Sequence, residues 1–201
     1  QVENGSHARI MHCLNSGNIT AIKEKGSMTM GGIVGVISDA GTKVRIVDSL
    51  NVGNITSPTG GGIGTMVSTI LKDTVVTLDN CYAASDSTKF GNVCASKHGT
   101  LEGSCTQQPK SGLRGYNAYY VTYLDFKDYW AVNLEGTPIL QSFAKTIPSL
   151  AGIEKMNMAW YNENKTEFVL NTVAELYGWS ELSKTIDFEG KTIKLGKDIV
   201  L

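Results

Sequence analysis

A chain of 201 residues with a formal net charge of −1 makes one domain or a short solenoid, and it sets up no field that would gather nucleic acid or an anionic membrane. The densest basic cluster, Lys23-Glu24-Lys25, is already mixed in sign, and no apolar run nears the roughly 18 residues of a membrane span. Gly is frequent at 22 residues, Pro scarce at 4 and the apolar share ordinary at 41%, which favours a turn-rich β protein over a disordered chain.

Residues 1–8 are polar and read as a ragged edge. From Arg9 to about Thr106 the sequence repeats itself. Ile10-Met11-His12-Cys13-Leu14-Asn15-Ser16-Gly17-Asn18-Ile19-Thr20 returns as Ile46-Val47-Asp48-Ser49-Leu50-Asn51-Val52-Gly53-Asn54-Ile55-Thr56, with seven of the eleven positions identical. A looser copy begins at Leu78-Asp79-Asn80-Cys81-Tyr82. Each copy is followed by a glycine-led apolar run, at Gly31-Gly32-Ile33-Val34-Gly35, at Gly61-Gly62-Ile63-Gly64 and at Gly91-Asn92-Val93-Cys94. Ile10 to Ile46 spans 36 residues, Ile46 to Leu78 spans 32, and Leu78 to Leu101 only 23, so a fourth copy is shortened.

The apolar runs inside each repeat are short, β-branched and bounded by Gly, Asn, Ser or Thr, with no helical periodicity. Units this small bury a face only by stacking on their neighbours. The expected fold is therefore mostly β, a right-handed parallel β-helix in which like residues stack from turn to turn. Ile10 over Ile46, Ile19 over Ile55 and Ile33 over Ile63 are expected as internal ladders, and Asn15 over Asn51 as an amide ladder. Gly17 and Gly53 are expected at corners with positive φ. The stretches Lys23 to Met30 and Ser57 to Gly60 are expected as protruding loops. Cys13 and Cys81 share a slot that holds Ser49 in the second copy, so free thiols in a tight site are favoured over a bridge.

Residues 107–150 differ in character. A linker-like Gln107 to Gly112 precedes Tyr116, Tyr119, Tyr120, Tyr123, Phe126, Tyr129 and Trp130, and the segment closes at Gly136-Thr137-Pro138-Ile139-Leu140. An open solenoid end must be covered, and bulky aromatics would cap it. The alternative is an aromatic platform for sugar, with Tyr116, Tyr119, Tyr120, Tyr123 and Trp130 as the candidate ligand-binding surface. Residues 151–201 read as a new beginning. A strand at Thr166 to Leu170 leads to a helix that Thr172 and Glu175 start with a capping box. Val173, Leu176, Trp179 (or Tyr177) and Leu182 form its apolar face, with strands at Lys191 to Leu195 and Asp198 to Leu201.

These segments together resemble the GLUG-motif repeat proteins of bacterial surfaces and secretions, including the non-catalytic part of IgA-protease-type peptidases. The residues that carry the resemblance are Cys13 to Thr20 with Gly31 to Gly35, Asn80-Cys81-Tyr82, Trp130 with Gly136 to Leu140, and Thr172 to Leu176 with Phe188 to Leu195 and Asp198 to Leu201. Repeats at 1–106 and a closing segment at 107–150, followed by an opening element at 151–201, imply the end of one repeat block and the start of the next. The resemblance implies a right-handed β-helix, an extracellular setting and no catalytic residue.

Signatures of chemistry are few. Gly190-Lys191-Thr192 lacks the leading glycine of a phosphate-binding loop, since Thr185 stands in its place. No G-x-S-x-G or H-E-x-x-H occurs. His12, Asp48 and Asn80 share one repeat column and are expected as a solvated ladder, with a His–carboxylate contact or a weak metal site as alternatives. Arg9 and Arg45 align without an acidic partner row. The expected function is thus a non-catalytic module of a secreted or cell-surface protein, serving as stalk or adhesive surface, with no cofactor. The alternatives are a glycan-active β-helix enzyme or an accessory region of a large extracellular peptidase. Expected partners are a host glycan or matrix protein, neighbouring repeat blocks, or a second copy met through the open solenoid end or through 151–201.

Overall fold

The computed structural model describes residues 5–22, 28–58, 62–89 and 91–199. The fold is mostly strand with few helices, and one sheet curls into a half-barrel. The repeat half makes successive passes. The first holds His7–Met11 (β1), Leu14–Asn15 (β2), Ile19–Thr20 (β3), Met30–Gly31 (β4) and Val34–Ile37 (β5). The second holds Lys43–Val47 (β6), Leu50–Asn51 (β7), Ile55–Thr56 (β8), Ile63–Gly64 (β9) and Val67–Ile70 (β10). The third runs Val75–Ala84 (β11) and Cys94–Lys97 (β12), and the last is Thr100–Gln108 (β13).

Equivalent strands of neighbouring passes lie side by side and parallel. β6 sits between β1 and the first half of β11, β7 between β2 and its second half, and β13 pairs with β11 on the far side. β10 lies between β5 and β12, β3 pairs with β8, and β4 with β9. Ile10 is beside Ile46 and Ile19 beside Ile55, as the sequence identity requires. Because strand side chains alternate, β6 turns Val44 and Ile46 inward and Lys43 and Arg45 outward. Ile46, Met66, Val67, Ile70 and Val76 are 0% exposed, each burial stabilising by about 1.5–3 kcal/mol.

Some details differ from the sequence reading. Ile63 pairs with Met30, while Ile33 bonds to Met66, so the third expected ladder is displaced. Leu101 falls beside Val76, and Gly103 takes the place beside Leu78. Neither Gly17 nor Gly53 has positive φ. Gly53 is required for another reason: a Cβ there would lie 2.0 Å from the Gly17 carbonyl oxygen of the pass beside it. The left-handed corners are instead His12, Asp48 and Asn80, at φ 51, 47 and 51. Gln107 and Gln108 belong to β13 rather than to a linker. Of the expected loops Lys23 to Met30 and Ser57 to Gly60, residues 23–27 and 59–60 lie outside the described residues, and Met30 belongs to β4.

The aromatic segment does not cap the end of the stack. Strand alternation points Leu14, Leu50 and Tyr82 outward, and this apolar stripe needs cover. A short helix, Tyr116–Val121 (α1), and the chain on either side of it supply it, packing Leu113, Ala118, Leu124, Phe126 and Trp130 against Leu50 and Tyr82. Trp130–Ala131 (β14) and Ile139–Leu140 (β15) close this flank as an antiparallel pair.

In the C-terminal part, Glu167–Leu170 (β16) and Thr192–Leu195 (β17) are parallel, joined through Val173–Leu182 (α2). The capping box is present, with Thr172 accepting from the Glu175 amide and Glu175 accepting from the Thr172 amide. The fully buried residues of α2 are Ala174 and Gly178, while the expected row of Val173, Leu176, Trp179 (or Tyr177) and Leu182 is only partly buried. The chain passes so close that a Cβ on Gly178 would be 2.0 Å from the Asn157 oxygen. Asp198 and Ile199 are not strand; Val200 and Leu201 lie outside the described residues.

Candidate functional site

The corner column of the repeats is a buried polar centre. Asp48 is 4% exposed and accepts four hydrogen bonds. His12 Nδ1 (2.9 Å) and Trp130 Nε1 (2.7 Å) donate to Oδ2. Asn80 Nδ2 (2.6 Å) and the Asp125 amide (3.2 Å) donate to Oδ1. A carboxylate has about four lone-pair directions, so Asp48 has none left for a metal or substrate. The ladder expected to be solvated is largely covered by the flank: Asp48 is buried, and His12 and Asn80 are partly buried. Tyr129 stacks on His12 with ring centroids 3.6 Å apart. The Tyr82 hydroxyl accepts from the Tyr123 amide (2.7 Å) and donates to Asn80 Oδ1 (3.1 Å), and burial raises its pKa. The centre pins the flank to the repeats. Its signal in the sequence was the residue types, since His, Asp and Asn are those that tolerate a left-handed corner.

The Asn column is likewise consumed internally. Asn15 Nδ2 donates to Asn51 Oδ1 (2.9 Å), and Asn51 Nδ2 donates to the Thr65 carbonyl (2.8 Å). Arg9 and Arg45 do stack, and an acidic partner exists on the next pass, since Arg45 pairs with Asp79. The four thiols are free. Burial pushes the Cys81 thiol from 9.0 up to about 11 and also raises that of Cys105 beside it. Among the described residues no three His, Cys, Asp or Glu gather as a metal site, and no helix is long and apolar enough to cross a membrane.

The five aromatics expected to form one binding platform divide. Trp130 is fully buried, held by Asp48. Tyr119 packs edge-on to Phe126, and Lys155 lies over the rings of Tyr119 and Tyr123 at 5.3 and 4.6 Å. Lys155 thus covers one side of each ring, while Tyr123 remains 63% exposed. Burial also lowers the pKa of Lys155. Tyr116 and Tyr120 instead line a cleft of about 470 Å3 with Arg114, Asn117, Leu134, Ile153 and Val173. Tyr120 is held there by stacking on Tyr177 of α2 at 4.9 Å, and burial raises the pKa of both phenols. Arg114 donates to the Glu135 carbonyl at 2.7 Å. The cleft joins two aromatic rings, an amide and a guanidinium, a set suited to a polyhydroxylated ligand bearing a carboxylate. Ile153 and Val173 come from distant sequence, so no local motif announces it. Comparison with family models, curated proteins and solved structures finds no significant match to this chain.

Proposed function

We propose that the chain is a non-catalytic, right-handed β-helical module of a secreted or cell-surface protein, as its resemblance to the GLUG-motif repeats implies, and that it binds glycan at the flank cleft. The supporting observation is how the polar groups are used. The repeat columns spend their Asp48, Asn51 and Asn80 groups on holding the stack and its flank, while Tyr116, Tyr120, Asn117 and Arg114 face a cleft of ligand size. The repeats supply a stiff stalk; the segment that interrupts them supplies the binding surface.

The test is a titration of 15N-labelled protein with neutral and acidic oligosaccharides. Shifts should concentrate at residues 114–120 and 173–177, and Tyr120→Ala should abolish them. Acidic sugars that perturb no residue of the cleft, or perturb Tyr120→Ala equally, would refute the binding reading. Turnover of any oligosaccharide would refute the non-catalytic one.

A further inference from the structure

The two ends of the repeat stack fit each other. Reading across the passes, one outward column is Arg9, Arg45, Thr77, Glu102. Two inward columns are Ala8, Val44, Val76, Leu101 and Ile10, Ile46, Leu78, Gly103. Each column therefore begins on β1 and ends on β13. Among the described residues no strand pairs with the outer edge of either one.

We infer that the β13 edge of one copy docks on the β1 edge of a second copy, continuing the parallel register from molecule to molecule. Three complementarities meet in that one register. Glu102 of one copy comes beside Arg9 of the next, both exposed in the single chain. Thr77 Oγ1 already donates to Glu102 Oε2 at 3.2 Å, which leaves Oε1 open to a guanidinium. Leu101, a large side chain, meets Ala8, a small one. Gly103, with no side chain, receives Ile10, which in the single chain is only partly buried at the end of the core. A shift by one residue would lose all three and turn the inward residues outward. Edge strands offer unpaired amides and carbonyls to such an addition. The contact is head-to-tail and does not close on itself, so it builds open chains rather than dimers. Only the repeat register is needed for it; the ligand of the flank cleft plays no part.

Sedimentation of the full chain at low salt across about a hundredfold range of concentration tests this. The expected wild-type result is a mass that rises past the dimer with concentration. Arg9→Glu and Glu102→Arg should each weaken association at least roughly tenfold, because like charges then face each other. An equimolar mixture of the two variants should restore it, since the carboxylate introduced at position 9 of one variant then meets the guanidinium introduced at position 102 of the other. Far-UV circular dichroism checks that each folds; Arg9→Gln and Glu102→Gln, neutral and exposed, serve if a charge swap does not. A wild-type chain that stays monomeric overturns the inference. So does association indifferent to these substitutions, which would place it on another surface, and so does a mixture that fails to recover.

Discussion

The first and second copies of the eleven-residue motif share seven residues and live in different surroundings. In the second copy Ile46, Leu50 and Asn51 are 0% exposed, whereas Ile10, Leu14 and Asn15 are only partly buried. The second copy has a pass on each side; the first has a pass on one side only, although the flank reaches it where Tyr129 stacks on His12. Identical residues thus contribute differently to stability, and the difference measures what stacking adds. Sequence identity fixes which residues pair, and position in the stack fixes what each pair is worth.

The corner should break most sharply. Asp48→Ala removes the acceptor of four donors and is expected to cost about 3–5 kcal/mol, with loss of the near-UV signal of Trp130; His12→Ala in the first copy should cost about 1 kcal/mol. Urea denaturation compares them. Next is the ladder: Ile46→Ala should cost about 3–4 kcal/mol and Ile10→Ala about half of that, because the site at the stack end can collapse or hydrate. For the amides, Asn51→Ala should cost about 2–3 kcal/mol by stranding the Asn15 side-chain amide and the Thr65 carbonyl, and Asn15→Ala about 1 kcal/mol. The glycines sharpen the comparison further. Gly53→Ala drives a methyl into the Gly17 carbonyl and should cost about 1–3 kcal/mol, while Gly17→Ala, whose nearest neighbour is 3.8 Å away, should shift the urea midpoint little.

The smallest effect is in alkali. Burial raises the folded-state pKa of Cys81 from 9.0 to about 11, so the thiol's contribution is complete below pH 9 and is lost as the pH rises through about 11. Stability should decline over that window, and Cys81→Ala should flatten the decline. A decline that persists unchanged in that variant assigns it to other groups.

The repeat half was legible because a stack forces like residues together: Ile10 with Ile46 and Asn15 with Asn51 follow from identity alone. What escaped was geometry that composition does not encode. Gly53 looked like a φ glycine but serves a close approach between passes. The real left-handed corners were written in His12, Asp48 and Asn80, residue types with a second reading as a solvated or metal-binding ladder. The aromatic segment was recognisable as a cover, yet its place depended on an outward stripe, Leu14, Leu50 and Tyr82, that emerges only once strand alternation is known. The cleft was partly visible through Tyr116 and Tyr120. Two residues of its wall, Ile153 and Val173, come from distant sequence, and α2 is fixed there by stacking Tyr177 onto Tyr120.

Native-state hydrogen exchange at a concentration that keeps the chain monomeric tests the stack most directly. The Leu50 amide, bonded to the Cys13 carbonyl inside the stack, should exchange only through global unfolding, with an opening free energy that falls with urea at the global slope. The Leu14 amide, on the open edge, should exchange through local opening at a distinctly lower free energy that is nearly independent of urea. Equal protection of the two would contradict the account, because it would mean that the first copy is as enclosed as the second.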